Sequence, residues 1–161
     1  SEGGGVVVAT PGTIVEFDRN VVVRDATDGS RHRLTGMIRT AMFHRVELAA
    51  RDKWEVLGEL EARVAELTDP PQRVVMDASA WNECLGEYYE VHDSIATDQA
   101  ARSAAHLQID KSAAMWRIRQ VIVDPDGDLD WGITAEVDLA ASDGAGAAVL
   151  TVTGFEPLGG F

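Results

Sequence analysis

The last third of the chain constrains the fold most. Residues 115–123, 131–139 and 147–155 are rich in β-branched and aromatic side chains and are separated by Asp/Gly/Pro turns, which predicts an antiparallel meander. Side chains on a strand alternate between faces, so a register follows from which residues must be buried together. Trp116, Ile118, Gln120 and Ile122 share one face; Trp131, Ile133, Ala135, Val137 and Leu139 share another. Bringing these faces together pairs Trp116 with Leu139 and Ile118 with Val137, and sets Arg119 opposite Glu136 and Arg117 opposite Asp138. A two-residue turn at Asp143-Gly144 then places Leu139 against Ala148, Val137 against Leu150 and Ala135 against Val152. One register satisfies apolar burial and charge pairing together, which argues for a real sheet.

Upstream the period changes. From Thr35, Ile38, Met42, Val46 and Ala49 recur at helical spacing, continued by Leu57, Leu60, Val64 and Leu67, until Thr68-Asp69-Pro70-Pro71 stops the helix. Gly58 inside this pattern marks a kink or a close helix contact. A second helix is predicted over 77–92, with Trp81, Leu85, Tyr88 and His92 on one stripe; 93–109 shows no clear period. The first 34 residues read as extended chain. Val6-Val7-Val8, 13–17 and 21–24 are strand-like, and Asp28-Gly29 reads as a hairpin turn folding 21–25 onto 31–34. The fold class is therefore α+β: long helices of the N-terminal half packed on an antiparallel sheet that ends in a three-stranded meander. A length of 161 residues suits one domain, read as 6–161, with Ser-Glu-Gly-Gly-Gly at 1–5 as a linker or cloning remnant.

Charge narrows the function. Fourteen Lys+Arg against 27 Asp+Glu give −13, which excludes a sequence-blind nucleic-acid binder working through a broad basic surface. No basic residue follows Arg119, so the acid surplus is concentrated in the meander. Basic residues gather instead between Arg19 and Lys53, eight against four acids. Arg31, Arg33, Arg39 and Arg45 are the candidate basic patch, with Arg31 and Arg33 on one face if their segment is a strand; a solvated face is the plainer alternative. Cys84 is alone, so no intramolecular disulfide is available and a reducing cytoplasm is the expected compartment. No apolar run is long enough for a membrane span, and no membrane partner is expected.

Asp124-Pro-Asp-Gly-Asp-Leu-Asp130 alternates carboxylates like a calcium loop, but Leu129 stands where an EF-hand needs Gly, and Ala135 where it needs Glu. An acidic hairpin turn is the better reading. His32, His44, His92 and His106 form no metal-ligand spacing, so no metal or cofactor is expected. GxSxG, Walker and GxGxxG motifs are missing from the sequence, and no catalytic residue is assigned. His92, followed by Asp93 and preceded by Tyr88 and Tyr89, is either an acid–base group lining a pocket or a helix-end histidine held by an acid. Gln120 falls on an apolar sheet face, where its amide needs partners: backbone, or a ligand beneath the helices near Trp116 and Trp131. The candidate pocket is therefore Trp116, Gln120, Trp131, His92 and Tyr88. Arg117 and Arg119 read as surface ion pairs across the strands.

Longer strings carry a resemblance. Gly36-Met-Ile-Arg-Thr-Ala-Met-Phe-His-Arg-Val-Glu-Leu-Ala-Ala50 with Leu57-Gly-Glu-Leu60, then Tyr88-Tyr89-Glu90-Val-His-Asp-Ser-Ile95 and Trp116-Arg-Ile-Arg-Gln120, are its first parts. The 124–133 turn and Ala135-Glu-Val-Asp-Leu-Ala-Ala-Ser142 complete it. Over 35–153 the chain resembles the uncharacterised domain at the C-terminus of actinobacterial DEAD/DEAH-box helicases. The resemblance implies a non-motor accessory domain, with the helicase core in cis or other proteins as partners and nucleic acid met only indirectly. The parent polypeptide would be an ATP-dependent helicase, while this part would not be catalytic. The helix-then-meander order also resembles the cone-shaped fold of nuclear transport factor and steroid isomerase relatives, which implies the alternative of a small-molecule binder or enzyme with a pocket between helices and sheet.

Overall fold

The computed structural model describes residues 17–159, with side chains from Gly29 onward. The chain divides into two compact units after Met37. The first is described from residue 17 as the leading part of helix α1 (Phe17–Ala50). The hairpin expected at Asp28-Gly29 is therefore replaced by helix. Each β-branched residue costs a helix only about 0.5 kcal/mol, so Val21-Val22-Val23 do not outweigh a continuous hydrogen-bond ladder. Gly29 has open space around it, and the Thr35 hydroxyl donates to the Arg31 carbonyl one turn back at 2.9 Å. The strand expected at 6–8 and all but the last residue of the one expected at 13–17 lie outside the described residues, and Phe17 begins the helix.

In the second unit α1 buries Ile38, Met42, Val46 and Ala49 as its stripe requires. The helix expected to run on to Leu67 breaks at Arg51–Lys53, where Asp52 takes a left-handed φ of 56° and the Lys53 amide turns back to the Leu48 carbonyl. Helix α2 (Trp54–Ala65) restarts in a new phase, burying Leu57, Gly58, Glu61 and Ala65 rather than Leu60, Val64 and Leu67. Gly58 is the close contact: a Cβ there would lie 2.6 Å from the Ala78 backbone nitrogen. Helix α3 (Ala78–Val91) opens with Asp77 accepting from the Ala80 amide at 2.9 Å, an N-cap. It buries Trp81, Leu85 and Tyr88. Among the described residues no helix is long and apolar enough to cross a membrane.

Strands β1 (Leu107–Asp110), β2 (Met115–Ile122), β3 (Trp131–Asp138) and β4 (Leu150–Pro157) form one antiparallel sheet in that order. The α+β class and its C-terminal meander are as the sequence indicates. β1, in the span without a clear period, adds a fourth strand. The buried face is the expected one: Trp116, Ile118, Gln120 and Ile122 on β2, and Trp131, Ile133, Ala135 and Val137 on β3.

The β2–β3 register is displaced by two residues. Trp116 pairs with Val137 and Ile118 with Ala135, so Arg117 faces Glu136 and Arg119 faces Thr134. A shift of two preserves both faces, so burial alone cannot detect it. Asp138 is engaged elsewhere, because its carboxylate accepts from the Ala141 amide at 3.0 Å and caps helix α4 (Leu139–Ala145). That helix replaces the expected two-residue turn at Asp143-Gly144 and ends on Gly146 at φ 66°. Beyond it, Val137 meets Leu150 and Ala135 meets Val152 as expected.

Candidate functional site

The 123–130 connection is organised by one carboxylate. Asp124 is buried and accepts from the amides of Asp126 and Asp128 at 3.0 Å and of Leu129 at 2.7 Å. Burial alone would raise its pKa; the backbone N–H donors outweigh that and hold the carboxyl below its ordinary value. The loop thereby curls back over the C-terminus of α3, where His92 ends the Trp81–Leu85–Tyr88 stripe.

His92 is only 2% exposed, yet both ring nitrogens meet carboxylates: Nδ1 lies 2.8 Å from Asp126 Oδ2 and Nε2 lies 3.2 Å from Asp130 Oδ1. Ionised carboxylates only accept, so this geometry selects the doubly protonated imidazolium. The Asp126 hydrogen bond is the largest influence raising the His92 pKa; burial opposes it, and Asp130 and Asp124 add to the increase. The acid that holds His92 is therefore not its neighbour Asp93 but the turn 34 and 38 residues away. Asp124 and Asp128 stand at 3.6 and 3.9 Å, completing a ring of four carboxylates around one cation.

One ligand atom each from His92, Asp124, Asp126 and Asp128 falls within 4.8 Å of the others, close enough to hold a metal ion. Two features favour the ion pair over a cage. Asp124 already has both oxygens on backbone amides, and His92 Nδ1 faces Asp126 as a donor.

Behind His92 the candidate pocket residues are packed on one another. Tyr88 lies 5.2 Å from the His92 ring, 5.3 Å edge-on from Trp131 and 5.6 Å from Phe155, and Trp131 lies 5.6 Å from Phe155. The Tyr88 hydroxyl donates to the Ser94 carbonyl at 2.6 Å. Tyr88, His92 and Trp131 thus form one cluster. Trp116 shares the sheet face of Trp131 but lies outside the cluster, with the Lys111 ammonium 4.9 Å from its ring centre.

Gln120 belongs to a different place. It lines a cleft of about 360 Å³ with Arg39, Thr40, Phe43, His44, Glu47, Arg102 and Leu107. Its Nε2 donates to the His106 carbonyl at 3.3 Å and to that of Val121 at 3.4 Å.

The four arginines of the candidate patch also separate. Arg31 and Arg33 stand on a helix, where residues two apart do not share a face. Arg33 is exposed and donates to the Ser30 hydroxyl at 3.3 Å. Arg39 is exposed in the cleft wall. Arg45 is 1% exposed and is no surface group. Its Nε and Nη2 form a two-pronged pair with Glu61 at 3.0 and 2.8 Å, its Nη1 donates to the Ala41 carbonyl, and Trp81 Nε1 donates to the same Glu61 at 3.3 Å. Sequence reasoning missed this pair, although a signal existed. Arg45 lies seven residues after Ile38 and Glu61 four after Leu57, on the buried side of each helix.

A family model described as "Domain of unknown function (DUF3516)" matches residues 14–155. No curated protein and no solved structure matches the chain.

Proposed function

The chain belongs to the DUF3516 family, a membership that by itself carries no activity, and from the geometry of the site we propose a non-motor accessory domain that works through its surfaces. The observation that supports this is the packing of Tyr88, His92, Trp131 and Phe155 against one another. Three of the groups expected to line a pocket between helices and sheet, Tyr88, His92 and Trp131, pack on one another instead. The one histidine among them has both nitrogens engaged by the acidic turn.

The parent, on the sequence resemblance, is a DEAD/DEAH-box helicase, and the partner is its RecA-like core in cis or another protein. The acidic turn keeps that end of the sheet away from phosphates, so the motor supplies the nucleic-acid affinity. The lone Cys84 suits the reducing compartment in which such a motor works.

The test has two steps. The coding sequence around this domain should encode RecA-like motor motifs upstream; their absence would sink the helicase assignment. Excising the domain from the parent should leave ATP hydrolysis within a few-fold while changing unwinding or partner capture. A parent whose ATPase, unwinding and partner binding are all unchanged would end the accessory reading.

A further inference from the structure

The Gln120 cleft is built differently from the filled aromatic cluster. Gln120 is 3% exposed, and while its Nε2 is bonded twice, its Oε1 accepts no hydrogen bond among the described residues. A buried acceptor lining an open cleft without a donor is an incomplete arrangement, because such atoms are nearly always paired.

The same cleft carries a cation–π pair. The Arg102 guanidinium lies 4.6 Å from the centre of the Phe43 ring, one face on the aromatic and the side chain still 56% exposed. Its Nη2 donates to Glu47 Oε2 at 3.0 Å, which pairs the cleft's carboxylate; His44 approaches the other Glu47 oxygen at 4.0 Å. Arg39 lines the same cleft with no ion-pair partner among the described residues. A chain of net charge −13 thus keeps an uncompensated cation beside a stacked guanidinium and a buried acceptor. The volume is in the range of small-ligand sites.

We propose that this cleft binds a nucleotide unit, its base stacked on the outer face of Arg102, its phosphate turned to Arg39, and a base amino group donating to Gln120 Oε1. Each feature answers a different part of that ligand. Guanidinium planes and aromatic faces take bases of either sugar type, a solvated arginine takes a phosphate, and an amide oxygen reads an exocyclic amine. A single nucleotide does not need the broad basic surface that the composition excludes. The unit can be free or part of a single strand, and both present the same chemistry. This inference does not depend on the accessory-domain reading, since the cleft lies within this chain.

Isothermal titration of the chain with AMP, adenosine, inorganic phosphate and a short single-stranded oligoadenylate tests it. AMP is expected to bind saturably with one site per chain, and adenosine and phosphate each about tenfold or more weaker. Arg39→Ala should bring AMP down to the adenosine level while leaving adenosine unchanged. Arg102→Lys, which keeps charge and loses the plane, should weaken AMP and adenosine alike. Both side chains are exposed, so thermal melting should be unaltered and loss of binding cannot be ascribed to misfolding. Gain with the oligoadenylate, lost again in Arg39→Ala, assigns the site to a strand; affinity equal to AMP assigns it to the free nucleotide. No saturable AMP binding at millimolar concentration, equal affinity for phosphate alone, or AMP binding unaffected by both variants would overturn the proposal.

Discussion

Two buried cations decide most of what is unusual in this chain at the scale of single residues. The Arg45–Glu61 pair sits between α1 and α2 with Trp81 hydrogen-bonded to the same carboxylate. Removing one partner leaves an uncompensated buried charge, so Glu61→Leu is expected to cost about 3–5 kcal/mol, read from the denaturant midpoint. Arg45→Met combined with Glu61→Leu should recover much of that loss, because an apolar pair of similar volume replaces both charges. Additive losses in the double variant would show that Arg45 and Glu61 are not energetically coupled, which would overturn this expectation.

His92 gives a pH dependence with a definite sign. Its pKa is raised in the folded protein, chiefly by the Asp126 hydrogen bond, so the folded state binds the proton more tightly than the unfolded state does. The resulting stability is fully present below the ordinary histidine pKa of about 6.5 and fades as pH rises through the higher folded value. Urea unfolding from pH 5 to 9 should show this decline, and Asp126→Asn with Asp130→Asn should flatten it. Asp126 and Asp130 are half-exposed, so added salt should reduce the effect. A decline that survives both substitutions would place the titration elsewhere.

At the scale of elements, a glycine and a cap set the geometry. Gly58 lets α2 approach the start of α3 until only a hydrogen fits between backbones. Gly58→Ala should therefore destabilise by about 1–3 kcal/mol through overpacking, whereas Gly86→Ala, on the exposed face of α3 with open space around it, should gain up to about 1 kcal/mol. Thermal melts of the two variants should move in opposite directions. Asp138 does for α4 what Asp77 does for α3. Asp138→Ala should cost about 1 kcal/mol, and a loss near zero would mean that Gly146 and the Ser142–Val149 hydrogen bond hold the turn unaided.

Capping also explains where sequence reasoning stops. The three meander strands and the buried faces of β2 and β3 were legible because alternation is local, and the stripe ending in His92 was legible because helical spacing is local, whereas β1 carried too short a pattern to be seen. The β2–β3 register was not, since the pairing that gave Arg117 to Asp138 buries the same side chains as the observed one. The choice fell to Asp138, which serves α4, and to Asp124, which shapes the connection. The break at Asp52 likewise rephased α2, so burial centres on Leu57, Glu61 and Ala65, leaving Leu60 half-buried and Leu67 exposed.

Over the whole molecule, the sequence by itself determined the class of fold, the buried faces of β2, β3 and α3, and an acid surplus concentrated in the meander. It also placed His92, Gln120, Trp81, Trp116 and Trp131 on apolar faces, because periodicity reports which side of an element meets the core. Tertiary structure decided which of those residues meet one another. It put His92 among Asp126 and Asp130, drew Arg45 out of the basic patch onto Glu61, and left Gln120 in a cleft with Arg39 and Arg102. The reason is physical. Burial follows from a local repeat, but pairing a buried charge or amide depends on partners tens of residues away, whose positions exist only once the chain has turned back on itself.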